Sequence, residues 1–151
     1  MKLTLRKIDK ENYDEVIGLS VSNNQIGFIE STKACLEEAR EFNFWRPIAI
    51  YEEENIIGLA MYGLFEDEGI DGRVWFDRFM IDEKYQGKGY GKRSFNLILE
   101  KIHSEYDYDE IFLSIYDNNT NAIKMYEDRG FRFNGELDIN GEKVMVINMK
   151  K

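Results

Sequence analysis

Gln86-Gly87-Lys88-Gly89-Tyr90-Gly91 follows the apolar run Val74-Trp75-Phe76-Asp77-Arg78-Phe79-Met80-Ile81 and opens the periodic segment Lys92 to His103. The order is strand, glycine turn, helix. Glycines alternating with bulky residues let the main chain approach a ligand closely, and a helix start offers unpaired N–H groups and the positive end of a dipole. Such a turn suits a phosphate.

The spacing decides which phosphate. A nucleotide-triphosphate loop of the form G-x-x-x-x-G-K-[ST] does not occur in the chain. A dinucleotide turn, G-x-G-x-x-G, fails because Lys92 stands where the third glycine belongs. Gln-x-x-Gly-x-Gly is what remains.

Outward from this turn, the amino-terminal half reads as an alternating strand from Leu3 to Ile8, a helix from Glu11 to Leu19 capped by Asp9, and an amphipathic helix from Thr32 to Phe42. Pro47 is expected to begin the strand Ile48 to Tyr51. Glu52 to Asn55 makes a charged hairpin turn, and Ile56 to Phe65 a long strand with Gly58 and Gly63 as possible bulges. Val74 to Ile81 is apolar enough for a central strand, so Asp77 is conspicuous within it.

Beyond the turn, Phe95, Ile98, Leu99 and Ile102 fall on one helical face. Ile111 to Tyr116 reads as a strand, and Thr120 to Arg129 as a helix capped by Asn119 and ended by Gly130. Arg132 to Asp138 and Glu142 to Met149 close on Asn140-Gly141 as a hairpin. The expected fold is α/β with a mixed central sheet of about seven strands and four helices, in the order β-α-α-β-β-β-α-β-α-β-β. No linker or repeat divides residues 1–151, so a single domain is expected.

Twenty basic against 29 acidic residues give a net charge of −9, which disfavours nucleic acid and suits either cationic ligands or plain solubility. No apolar run is long enough to span a bilayer, and Met1 to Arg6 is not followed by a signal core, so no membrane partner and a cytoplasmic location are expected. One cysteine, Cys35, rules out an internal disulfide, and one histidine, His103, argues against a histidine-rich metal site. No metal is expected.

A second motif lies in Asn119-Thr120-Asn121-Ala122-Ile123-Lys124-Met125-Tyr126-Glu127-Asp128-Arg129-Gly130-Phe131. Taken singly, Asn119 is a helix cap, Ala122 and Tyr126 a core stripe, and Gly130 a helix terminator. Together with Gln-x-x-Gly-x-Gly, the N-x-x-A-x-x-x-Y-x-x-x-G-F segment resembles the GNAT N-acetyltransferases, whose element order the chain also follows. Four stretches outside these motifs are similar to bacterial spermine/spermidine N-acetyltransferases: Ile29 to Thr32, Ala60 to Phe65, Gly72 to Trp75, and Asn134 to Asp138 with the following residues to Val144.

The resemblance implies acetyl-CoA as co-substrate and direct attack of an amine on its thioester. Gln86, Gly87, Lys88, Gly89, Tyr90, Gly91 and Lys92 would take the pyrophosphate, with Arg93 another nearby cation. Main-chain amides at Phe79 and Ile81, with Met80 between them, would meet the pantetheine arm, and Asn119, Ala122 and Tyr126 would complete the coenzyme site. Tyr126 would protonate the departing sulfur, a role suited to a phenol. Asp77 could accept the amine proton through water, or could pair with Arg78. Glu30 is a second candidate for holding an ammonium, or a favourable charge at a helix start.

A polyamine is the first acceptor to consider, with an amino acid, an aminoglycoside or a protein amino group as alternatives. A coenzyme A-binding sensor without turnover is the non-enzyme reading, and a homodimer is consistent with the family.

Overall fold

The computed structural model describes residues 2–19, 32–42, 44–138 and 140–150. Seven strands form one sheet: β1 (Leu3–Lys7), β2 (Trp45–Glu52), β3 (Asn55–Phe65), β4 (Arg73–Ile81), β5 (Glu110–Ile115), β6 (Arg132–Leu137) and β7 (Lys143–Asn148). The described helices are α1 (Tyr13–Ile17), α2 (Thr32–Glu41), α3 (Tyr90–Glu105) and α4 (Thr120–Arg129). The sheet order is β1-β2-β3-β4-β5-β7-β6, antiparallel throughout except between β4 and β5. Among the described residues the expected order of strands and α-helices is the observed one, with a 3-10 turn, Glu83–Tyr85, added ahead of the glycine loop.

Apolar alternation sorts the helices to opposite faces of the sheet. Phe95, Ile98, Leu99 and Ile102 of α3 pack with Val74, Phe76, Ile111, Leu113, Met145 and Ile147, and α4 adds Ala122, Met125 and Tyr126 to this layer. On the other face, Val16 of α1 and Leu36 of α2 cover Ala49, Tyr51, Leu59, Met61 and Met80. No described helix is long and apolar enough to cross a membrane.

Several local expectations are corrected. Pro47 lies inside β2, opposite Met61, not at its start. Its missing N–H costs nothing on the β1 side, because β1 pairs only as far as Ile48. Gly58 and Gly63 are close-approach positions, not bulged residues: a Cβ on Gly58 would stand 2.4 Å from Met80 O, and one on Gly63 would stand 2.7 Å from Phe44 O. The first helix is shorter than expected, because Asp9 Oδ1 accepts from the N–H groups of Glu11 and Asn12 and holds a turn ahead of it. The final hairpin closes on more than Asn140-Gly141, since Asp138 N donates to Glu142 O.

Two register features create the functional cleft. Met61 pairs with Arg78 while the next residue, Tyr62, pairs with Phe76, which leaves Asp77 as the extra residue of a bulge in β4. A bulge bends its strand and sharpens its twist. On the opposite edge, β4 and β5 pair only through Val74–Ile111 and Trp75–Phe112. Past that point they separate, and a wedge opens in the middle of the sheet.

Candidate active site

The wedge widens into a cleft of about 380 Å³. From β4 it is lined by Asp77, Phe79, Met80 and Ile81, from the glycine loop and α3 by Gln86, Gly87 and Gly91, and from α4 with its cap by Asn119, Ala122 and Tyr126. The two motifs, distant in sequence, thus face one space. Lys88, Gly89, Tyr90 and Lys92 are not among its lining residues. The Tyr90 ring is buried in the core beside Tyr85, and Lys88 and Lys92 are exposed. Arg93 borders a separate groove with Lys2, Leu3 and Asn96. Glu30 lies outside the described residues.

The anion end is built from main chain. Gln86 Nε2 donates to Ile81 O at 2.8 Å, which ties the loop back onto the end of β4. Gly87 and Gly89 hold φ of 77° and 85°, and a Cβ on either would meet no atom within 4 Å. Gly89 is the N-cap of α3 and provides no side-chain cap, so no side chain of the cap residue satisfies the first N–H groups of this long helix. An anion seated there meets both those donors and the helix dipole.

The strand wall offers further donors. Asp82 N donates to Ile57 O on β3. Because successive N–H groups of a strand alternate sides, those of Ile81 and Phe79 point away from β3, into the wedge that β5 has left.

Asn119 occupies the N-cap position of α4 but makes no side-chain cap hydrogen bond, contrary to expectation. It lines the cleft instead. Ala122 and Tyr126 continue its face at helical spacing. The Tyr126 ring stacks on Phe95 with centroids 5.0 Å apart and planes 29° from parallel. Its hydroxyl has no hydrogen-bond partner among the described residues, and burial pushes the phenol up to about 12. The proton therefore stays on this oxygen through the neutral range.

The opposite end is acidic. Asp77 Oδ2 lies 2.7 Å from Arg78 Nη1, so the pairing left open from sequence is formed. Arg78 also reaches Glu38 of α2 at 3.7 Å, which ties that helix to the bulge. A second carboxylate that sequence reasoning missed, Glu142, lines the same cleft. Burial first, then Asp138 beside it and Asp77 across from it, push its carboxyl up to about 7, with Arg78 opposing. Ser114, Tyr116, Asn121 and Met125 are further lining residues not anticipated. Alternation along β5 could have suggested Ser114 and Tyr116; Glu142 falls inside the stretch Asn134 to Val144 already noted for its resemblance, but nothing in that stretch singled out this carboxylate. Among the described residues no group of His, Cys, Asp and Glu side chains could hold a metal ion.

Comparison with known proteins agrees with this architecture. The family model "Acetyltransferase (GNAT) family" matches residues 5–131. The spermine/spermidine N(1)-acetyltransferase of Bacillus subtilis (strain 168) is 46% identical over 149 residues, covering 97% of this chain and 98% of that protein. The crystal structure of spermidine N-acetyltransferase from Vibrio cholerae, in complex with CoA and spermine, superposes with a TM-score of 0.75 at 26% identity, covering 97% of this chain and 95% of that one. An aminoglycoside acetyltransferase in complex with coenzyme A has a TM-score of 0.80 at 17% identity, covering 97% and 95%, a likeness of fold alone.

Proposed function

The chain belongs to the GNAT acetyltransferase family, and we propose that it transfers the acetyl group of acetyl-CoA to a primary amine of spermine or spermidine. The observation that carries this reading is a single cleft with a main-chain anion cradle at one end, a half-buried phenol between, and two carboxylates at the other. Its polarity matches a reaction between an anionic coenzyme and a polycationic amine. The 46% identity with the Bacillus subtilis enzyme over nearly the whole of both chains supports the polyamine as acceptor.

The residues fit acetyl-CoA. Open space in front of Gly87 and Gly89, with uncapped N–H groups behind them, suits a diphosphate. When bound, the co-substrate supplies an acyl thioester, whose carbonyl the N–H groups of Phe79 and Ile81 polarise. Asn119 and Ala122 hold the coenzyme from the α4 side. Tyr126 gives its proton to the departing sulfur, for which a phenol that stays protonated in the neutral range is suited.

Asp77 receives the ammonium at the acidic end. A primary ammonium has an ordinary pKa of about 10.4, so its deprotonation at pH 7 costs about 4–5 kcal/mol, and a proton acceptor beside it contributes directly to the rate. With acetyl-CoA as co-substrate, the reading places the enzyme in the cytoplasm.

Thiol release measured with acetyl-CoA against a panel of amines tests the proposal. Spermine and spermidine should be turned over with kcat/KM at least tenfold above amino acids, aminoglycosides and lysine peptides. Tight coenzyme binding with no turnover of any amine would refute it in favour of a sensor, and preference for another amine would redirect the acceptor.

A further inference from the structure

Glu142 is the half-buried titratable group of the cleft that the family motifs leave without a role. Its position follows from register. Lys143 pairs with Ile115 and Val144 with Ser114, so Glu142 falls beside Tyr116, at the carboxyl end of β5 where the wedge is open. Asp77 faces the same space from the bulge of β4. The two carboxylates differ in their surroundings. Asp77 is engaged by the Arg78 guanidinium at 2.7 Å, whereas Glu142 has acidic neighbours, Asp138 on its own hairpin and Asp77 across the cleft.

We propose that Glu142 accepts the proton of the incoming ammonium group, while Asp77, fixed by Arg78, serves as the counter-charge that holds that ammonium in place. The assignment rests on the acetyltransferase reading and moves the proton acceptor away from Asp77. The Glu142 carboxylate takes H⁺ from R–NH3⁺, leaving R–NH2 and a neutral carboxyl. The amine lone pair forms the new C–N bond, and the C–S bond breaks with its electron pair on sulfur, which takes the Tyr126 proton. The phenolate regains a proton from the acylated nitrogen, and Glu142 releases its own to solvent. The products are the amide, the free thiol and one proton.

The charged groups around Glu142 explain the division of labour. Asp138 from the hairpin and Asp77 from β4 disfavour its charged form, and Arg78 from β4 favours it. Lys143, the next residue, is directed to Asp117 Oδ2 at 3.6 Å. Tyr126 on α4, lining the same cleft, stays neutral. A base poised near the working pH combines a large ionised fraction with real proton affinity. A carboxylate already held by an arginine at 2.7 Å is fixed in position, which suits an anchor.

The test is the pH dependence of steady-state acetylation of spermine by the full chain and its Glu142→Gln and Asp77→Asn variants. Activity of the unaltered enzyme should rise with pH through about 7. Glu142→Gln should lower kcat roughly 10²-fold at neutral pH and abolish that rise. The loss should shrink to within about tenfold for a fluorinated diamine whose amine is already neutral at working pH. Asp77→Asn should instead raise the KM for spermine and keep the rise.

Persistence of the rise in Glu142→Gln, or its disappearance only in Asp77→Asn, would overturn the assignment. Should Glu142→Gln fail to melt cooperatively, Glu142→Asp serves: a retained rise at reduced kcat supports the role, and an altered KM with unchanged kcat refutes it. Failure of the unaltered enzyme to acetylate any polyamine would instead bring down the functional reading, and the assignment with it.

Discussion

Replacing Tyr126 with Phe removes one oxygen and its proton while keeping the ring. The ring is what packs: its stacking on Phe95 at 5.0 Å and its contact with Phe131 at 6.0 Å are both available to phenylalanine. The hydroxyl has no hydrogen-bond partner among the described residues, so its removal orphans no donor or acceptor. Stability should therefore change by less than about 1 kcal/mol, with Tm nearly unaltered, because the residue is only partly buried and its oxygen faces the cleft rather than a protein partner. Turnover should behave differently. A positioned general acid contributes about 10²–10⁴-fold, so kcat should fall at least roughly 10²-fold, or ~2.7 kcal/mol of transition-state stabilisation. The proposed diphosphate cradle is main chain of the glycine loop and does not use this oxygen, so the coenzyme Kd should hold within about threefold. Thiol release with saturating acetyl-CoA and spermine measures kcat, calorimetry the coenzyme Kd and a thermal melt the stability. A kcat within twofold of the unaltered enzyme would refute the acid role. A fall in Tm of more than a few degrees would show that the hydroxyl had a structural partner instead.

Gly58→Ala should cost about 1–3 kcal/mol and weaken acetyl-CoA binding, because the new methyl presses on Met80 O and displaces the strand carrying the Phe79 and Ile81 amides; unchanged urea midpoint and Kd would contradict the close approach. Gly89→Ala puts a side chain at φ 85°, at about 1–2 kcal/mol of strain, and should raise the coenzyme Kd roughly tenfold as the α3 cap relaxes; calorimetry with coenzyme A reads it. Glu142 also predicts a stability signature. Its folded-state pKa of about 7 lies above the ordinary 4.5, so between those values the folded chain keeps a proton the unfolded chain has released. Its contribution therefore falls as pH rises through that window, and the Tm of Glu142→Gln relative to the unaltered protein should climb from pH 4.5 to 7 and then level off. A Tm difference independent of pH would remove Glu142 as a group titrating there.

The features legible in the chain were those written at short range. A glycine turn between an apolar strand and a periodic helix, the exact span Thr120–Arg129 and the two hairpins all depend on residues within a few positions of one another. Local backbone preference and apolar spacing suffice for them, and together they identified the anion cradle and the α4 wall. Whether Asp77 paired with Arg78 was left open, since adjacent charges in a regular strand point to opposite faces and only the bulge lets these two meet. Glu142 was marked only by the resemblance of the stretch around it, not by any spacing of its own. It reaches the cleft because β7 inserts between β5 and β6 and because β5 parts from β4 after Phe112, both consequences of pairing between segments distant in sequence. The proton affinity of a carboxyl depends on which charges and how much water surround it, and that environment is assembled only when the sheet closes its order.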